Sequence, residues 1–196
     1  MKKAIKILAY SIGTFLTILL IGLFCTCGWL SNKWSDFYTE LEMKEIANQV
    51  NNAPELSENF YTAFDRIYPV HRNMTVRKMS VGVIWGLLSK NEDILNSKQC
   101  NCIRSSYSFK SKVPIIYHSW SHYITAHGIE NFTTPDKCLD FIYASRKLEE
   151  NSTKYFNKSF SELSVNENLE LIIRLERPSL YETRPELLAE KMSKFK

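Results

Sequence analysis

His118 and His122 stand four residues apart, a spacing that puts both imidazoles on one face of a helix. An imidazole exchanges a proton near neutral pH and can donate a hydrogen bond, so the pair could do acid–base or hydrogen-bonding work. The plainer reading is a helix packed by Trp120 and Ile124. In it His118, His122 and His127 are partly buried polar residues or incidental surface groups. No metal is implied, because no glutamate completes a His-Glu-x-x-His arrangement and no four ligands recur at zinc spacing. No motif asks for a cofactor. Cations gather at Arg72, Arg77 and Lys78, and again at Arg104, Lys110 and Lys112. Either group could meet lipid phosphates, and an ordinary solvated face explains them more simply. The net charge is +4 with both signs interspersed, so no basic stripe points to nucleic acid.

The elements that must position these groups read as helices. The first comes from the uncharged run Ile7 to Leu30, long enough to span a hydrocarbon core of about 30 Å. Lys2, Lys3 and Lys6 precede it, which predicts a cytoplasmic N-terminus and an exported remainder. A cleaved signal peptide would have a shorter apolar region with small residues after it, whereas Trp29-Leu30 follows here. The expected organisation is a cytoplasmic tip and transmembrane anchor over residues 1–30, then one extracytoplasmic domain over 31–196.

In that domain, helical spacing predicts helices over Ser31 to Asn52, from the Ser57 cap to Pro69, from about Thr75 to Leu88, and over Pro114 to His127. Gly128 is the expected stop of the last of these, and the polar stretch Ser89 to Lys112 reads as loops. Thr134-Pro135 is a helix start with a hydroxyl at the cap and proline at the first position, feeding a helix to Leu148. Ser164-Val165-Asn166-Glu167 is a capping box, followed by an apolar face at Leu169, Ile172, Ile173 and Leu175, and Pro178 is the stop. Strand alternation is weak throughout, and the fold class expected is all-α. An exported compartment permits disulfides. Cys100 and Cys102 are too close for an easy mutual bridge, so one of them is expected to pair with Cys138.

The order of residues near the C-terminus resembles one family. Tyr155-Phe156-Asn157-Lys158, the capped helix at Leu163-Ser164, the exit Pro178-Ser179-Leu180-Tyr181 and the following Arg184-Pro185-Glu186 look like the closing segment of peptidoglycan glycosyltransferases. These are the family 51 enzymes that polymerise lipid II. Further back, Thr134-Pro135-Asp136-Lys137-Cys138-Leu139-Asp140-Phe141 stands where the family begins the preceding helix. The resemblance implies a lysozyme-like helical domain and contact with a membrane, a lipid-linked glycan precursor or peptidoglycan.

The family's chemistry is not all present. After Ser57-Glu58-Asn59-Phe60, where the family has a Glu-Asp motif, the chain reads Ala63-Phe64-Asp65-Arg66-Ile67, and Asp65 is the nearby carboxylate. Cys102 to Ser108 stands in place of a glutamine-rich segment. His122 occupies the position of a second glutamate, and His118-Ser119 that of a phosphate-contacting basic pair. A general base and cations at the departing diphosphate are what polymerisation requires. The expectation is therefore a catalytically degenerate, membrane-anchored accessory protein whose ligand-facing candidates are Asp65, Arg104, Lys112, His118 and His122. The alternative is a divergent active glycosyltransferase with Asp65 or another carboxylate as base.

Overall fold

A computed structural model describes residues 2–69, 71–78 and 100–195 of the 196, with the backbone alone described at His118, Ser119 and part of the first helix. The described residues contain helices and no strand, in agreement with an all-α fold. Helix α1 spans Lys2–Asn32. Its 31 residues reach about 46 Å at about 1.5 Å per residue. Among the described residues no helix is long and apolar enough to cross a membrane.

Beyond α1 the expected helix from Ser31 to Asn52 is interrupted. A 3-10 turn covers Lys33–Asp36, and α2 begins only at Glu40, running Glu40–Asn51. The cause is local. Thr39 adopts an extended conformation and accepts the Glu42 N–H, while the Glu42 carboxylate accepts the Thr39 N–H at 2.9 Å, a capping box that starts a fresh helix. Helix α3, Glu58–Ile67, begins as its sequence implies, with Ser57 Oγ accepting the Phe60 N–H at 3.2 Å. The helix expected from Thr75 to Leu88 lies largely outside the described residues. Within the stretch expected to be loops, α4 forms over Asn101–Ser106.

The segment from Pro114 also departs from expectation. Ile115–Trp120 forms 3-10 turns, with Tyr117 at non-helical φ −104° and ψ 18°, and α5 follows over Ser121–Glu130. His118 therefore lies in the 3-10 segment and His122 on the α-helix that follows it, so the single continuous helix expected to carry both is not formed. Gly128 does not end α5. A Cβ there would come within 2.5 Å of Met43 Cε, and Met43 is fully buried, so the glycine serves a close helix-to-side-chain approach. Helix α6, Pro135–Ala144, has the Thr134 cap, with Oγ1 accepting the Lys137 N–H at 3.3 Å. It stops before Leu148, and left-handed Lys147 (φ 51°) leads into α7, Leu148–Phe156. The Ser164 capping box opens α8, Val165–Glu176. Prolines at the first helical position then open α9, Pro178–Thr183, and α10, Pro185–Ser193.

These helices enclose two apolar clusters. One lies between α3, α6 and α8 and includes Phe60, Phe64, Leu139, Leu171, Ile172 and Ile173. The other lies nearer the end of α1 and joins Tyr38, Met43, Val50, Val76, Ile103, Ile124 and Ile129. A disulfide joins Cys102 on α4 to Cys138 on α6, which resolves the expected pairing in favour of Cys102, and Cys100 remains a buried free thiol.

Candidate functional site

The residues singled out from sequence are distributed over separate neighbourhoods. Asp65 is half-buried at 3.4 Å from Arg72 Nη1. The same guanidinium grips Asp136 through Nε at 3.1 Å and Nη2 at 3.3 Å, and lies 4.1 Å from the centroid of the Tyr61 ring. The bond to Asp136, above all, raises the Arg72 pKa. Behind it, the Tyr61 hydroxyl donates to buried Asp140 Oδ1 at 2.5 Å, and the Leu56 N–H donates to the same oxygen at 3.3 Å. Asp140 Oδ2 has no hydrogen bond of good geometry, although the Lys137 ammonium stands 3.3 Å away and supplies charge. Burial, then the bond to Asp140, pushes the Tyr61 phenol well above its ordinary range. Asp65 thus belongs to a chain of ion pairs joining α3 to α6, an arrangement that orders helices rather than one that readies a base.

Lys112 is exposed and pairs with Glu42, the residue of the α2 capping box, whose carboxyl falls to about 2 through its bonds to Lys112 and Thr39. Arg104, half-buried on α4, reaches Tyr143 on α6; burial raises the Tyr143 pKa and the arginine opposes that rise. The His122 ring sits 3.8 Å from the Tyr107 ring, with Nδ1 3.4 Å from Ser106 Oγ. The side chain of His118 lies outside the described residues. Among the described residues, no group of three or more His, Cys, Asp or Glu side chains is placed to hold a metal ion.

A different set of groups comes together where α1 ends. Ser31, Asn32, Thr75, Arg77, His127, Glu130 and Asn131 line a polar cleft of about 200 Å³. Glu130 Oε1 accepts the Val76 N–H at 2.6 Å and lies 3.6 Å from the Cys100 thiol, which also lies 3.3 Å from the Met74 carbonyl oxygen. Burial pushes Glu130 up to about 7, against the bonds from Val76 and Cys100 and the charge of Arg77, which pull it down. Burial likewise holds His127 down at about 4 and lifts the Cys100 thiol to about 12. A carboxyl raised toward neutrality in this way can donate or accept a proton near pH 7. Beside it His127 is neutral and Arg77 carries an exposed positive charge.

The two larger hollows are less apt. One of about 450 Å³ opens beside Pro54, Leu56, Lys147 and Phe160, and one of about 290 Å³ beside Asn166, Glu170, Met192 and Phe195. Neither gathers buried ionisable groups. One signal of the cleft was present in the sequence, since His127, Glu130 and Asn131 fall at i, i+3 and i+4 of one helix. The contributions of Val76 and Cys100 come from distant segments and left no local sign. Neither a family model, nor a curated protein, nor a solved structure matches this chain.

Proposed function

We propose that the chain is a membrane-anchored accessory protein of the cell envelope, glycosyltransferase-like in its C-terminal segment and without polymerase activity. Its cleft would hold the phosphorylated head of a lipid-linked glycan precursor. In this reading residues 1–30 form the cytoplasmic tip and the membrane helix, and residues 31–196 form an extracytoplasmic, lysozyme-like helical domain. The observation that carries the reading is the position of the cleft: Ser31 and Asn32, the two residues that follow the uncharged run, form part of its wall. A ligand there would lie at headgroup depth, with Arg77 as the cation and Glu130, Thr75 and Asn131 as hydrogen-bonding groups. The Cys102–Cys138 disulfide supports an oxidising, exported compartment. The engagement of Asp65 by Arg72 supports the absence of a poised base at that position.

The test uses full-length protein in vesicles with and without a polyprenyl-diphosphate glycan. Expected are saturable binding, its loss in Arg77→Ala, and weaker binding as pH rises through about 7, where Glu130 gains negative charge. Binding unchanged in Arg77→Ala and indifferent to pH would remove the cleft from this role. A divergent active enzyme is the second reading, and the raised pKa of Glu130 is what favours it. Glycan chains made by wild type and lost in Glu130→Gln would establish that reading, with Asp65→Asn as the competing base assignment.

A further inference from the structure

The 3-10 segment Ile115–Trp120 displays its apolar side chains outward: Ile115 is 89% exposed, Ile116 85% and Trp120 49%. Isolated apolar residues on a surface are ordinary, but two adjacent isoleucines left almost wholly exposed in one short segment that also carries a half-exposed tryptophan are not. Its place in the fold gives it meaning. The Tyr117 ring, in the middle of the segment, packs 5.7 Å from the Phe37 ring in the chain that leaves α1. Lys33 Nζ lies 5.9 Å from the same Tyr117 ring and 4.8 Å from the ring of Trp29, at the end of the uncharged run. Exposed Lys110 and Lys112 precede the segment. Aliphatic side chains at a tip, Tyr and Trp around them and lysines at the margin are the composition of a surface that dips into the headgroup and acyl boundary of a bilayer.

We propose that the Ile115–Trp120 turn is a second membrane contact, which inserts Ile115, Ile116 and Trp120 shallowly into the leaflet from which α1 emerges. The inference rests on the reading of α1 as a membrane helix. It adds that the domain is held to the bilayer at two points, so that the cleft beside Ser31 is kept against the headgroup layer instead of swinging on a single stalk. The bilayer is the occupant favoured over a second copy of the chain because the segment is fixed to the residues that follow the uncharged run and is preceded by exposed Lys110, a cation suited to anionic lipid.

Tryptophan quenching in proteoliposomes of the full-length chain tests this, with lipids brominated at shallow or deep acyl positions. Trp29→Phe and Trp120→Phe assign the signal to each ring. Expected is quenching of Trp120 by shallow bromines and its loss in an Ile115→Asp, Ile116→Asp variant, while quenching of Trp29 persists. Both isoleucines are exposed, so the double variant should keep the helical circular dichroism and melting temperature of wild type. Trp29 quenched with Trp120 unquenched would overturn the second contact and leave the anchor standing. If neither ring is quenched, the anchor reading fails and the second contact with it. Trp120 shielded from aqueous quencher yet untouched by bromines, with inter-chain cross-links, would replace the bilayer by a second copy.

Discussion

The two apolar clusters are built on opposite terms. Between α3, α6 and α8 the interior is aliphatic and aromatic, with Phe60 edge-on to Tyr143 at 4.8 Å and to Phe160 at 5.8 Å. Its buried polar groups are largely structural: Asn168 donates to the Leu163 and Ser164 carbonyls at 3.1 Å each, and Asp140 accepts from Tyr61 and Leu56. Near the end of α1 the interior borders an acid, an imidazole and a free thiol, and a disulfide ties its helices together. Burial works against the charged forms of Glu130 and His127, so that region gives up some stability to keep ionisable groups at a cleft. One region buries apolar groups with few ionisable neighbours, and the other borders ionisable groups at a polar cleft.

The largest expected effect falls in the first region. Phe60→Ala removes a fully buried ring and should cost about 3–5 kcal/mol, read from the denaturant midpoint at unchanged slope. In the second region, replacing Cys102 and Cys138 by serine opens a loop of 36 residues and should cost about 3–4 kcal/mol on loop-entropy grounds. The two substitutions together test whether the regions are separate in more than composition. A single shared transition in both variants would make them one cooperative unit. A transition that splits only in the serine variant would set the region at the end of α1 apart.

Local grammar was legible and distant partnership was not. The Ser57, Thr134 and Ser164 caps each need only the next turn of chain, and all three form as their residues imply. The Thr39-x-x-Glu42 box is equally local, and it ends what apolar spacing alone extends into one helix. Gly128 reads as a stop in isolation and is a contact in the fold, because Met43 arrives from another helix. The candidate site suffered most. Asp65 acquires its meaning from Arg72 and Asp136, and Glu130 from Val76 and Cys100, partners separated from it by 54 and 30 residues. Spacing along one helix cannot carry that information.

Glu130→Gln sharpens the comparison through pH. The ordinary glutamic acid value is 4.5, and the folded value is about 7, so between these the unfolded chain has released its proton while the folded chain keeps it. Wild type should therefore lose stability from this group as pH rises through that window. His127 works in the other direction: its ordinary value of 6.5 falls to about 4 on folding, so its contribution is lost as pH drops through that range. The amide oxygen of glutamine can still accept from Val76. The variant should gain on the order of 1–3 kcal/mol over wild type at pH 8, no more than a fraction of that at pH 4, and show the His127 slope uncovered. A difference that is the same at both pH values would mean that Glu130 is not held protonated by burial.

The smallest expected effect compares two capping boxes, one from each region. Ser164 Oγ accepts the Glu167 N–H at 3.3 Å, and the Glu167 carboxylate accepts the Ser164 N–H at 2.9 Å while pairing with Lys158 at 2.6 Å. Thr39 and Glu42 repeat the arrangement at α2, with Lys112 in the place of Lys158. Ser164→Ala and Thr39→Ala should each cost about 1 kcal/mol. Both ion pairs are exposed, so the comparison belongs at high salt, where the caps persist and the pairs are screened. Equal losses would mean that helix starts in the two regions are held alike and that the contrast between them lies in their interiors. A larger loss for Thr39→Ala that survives high salt would place part of the contrast in the backbone itself, since Thr39 sets the break that lets the chain turn away from α1. A negligible loss for Ser164→Ala would show that α8 is fixed by packing of Leu171, Ile172 and Ile173 alone.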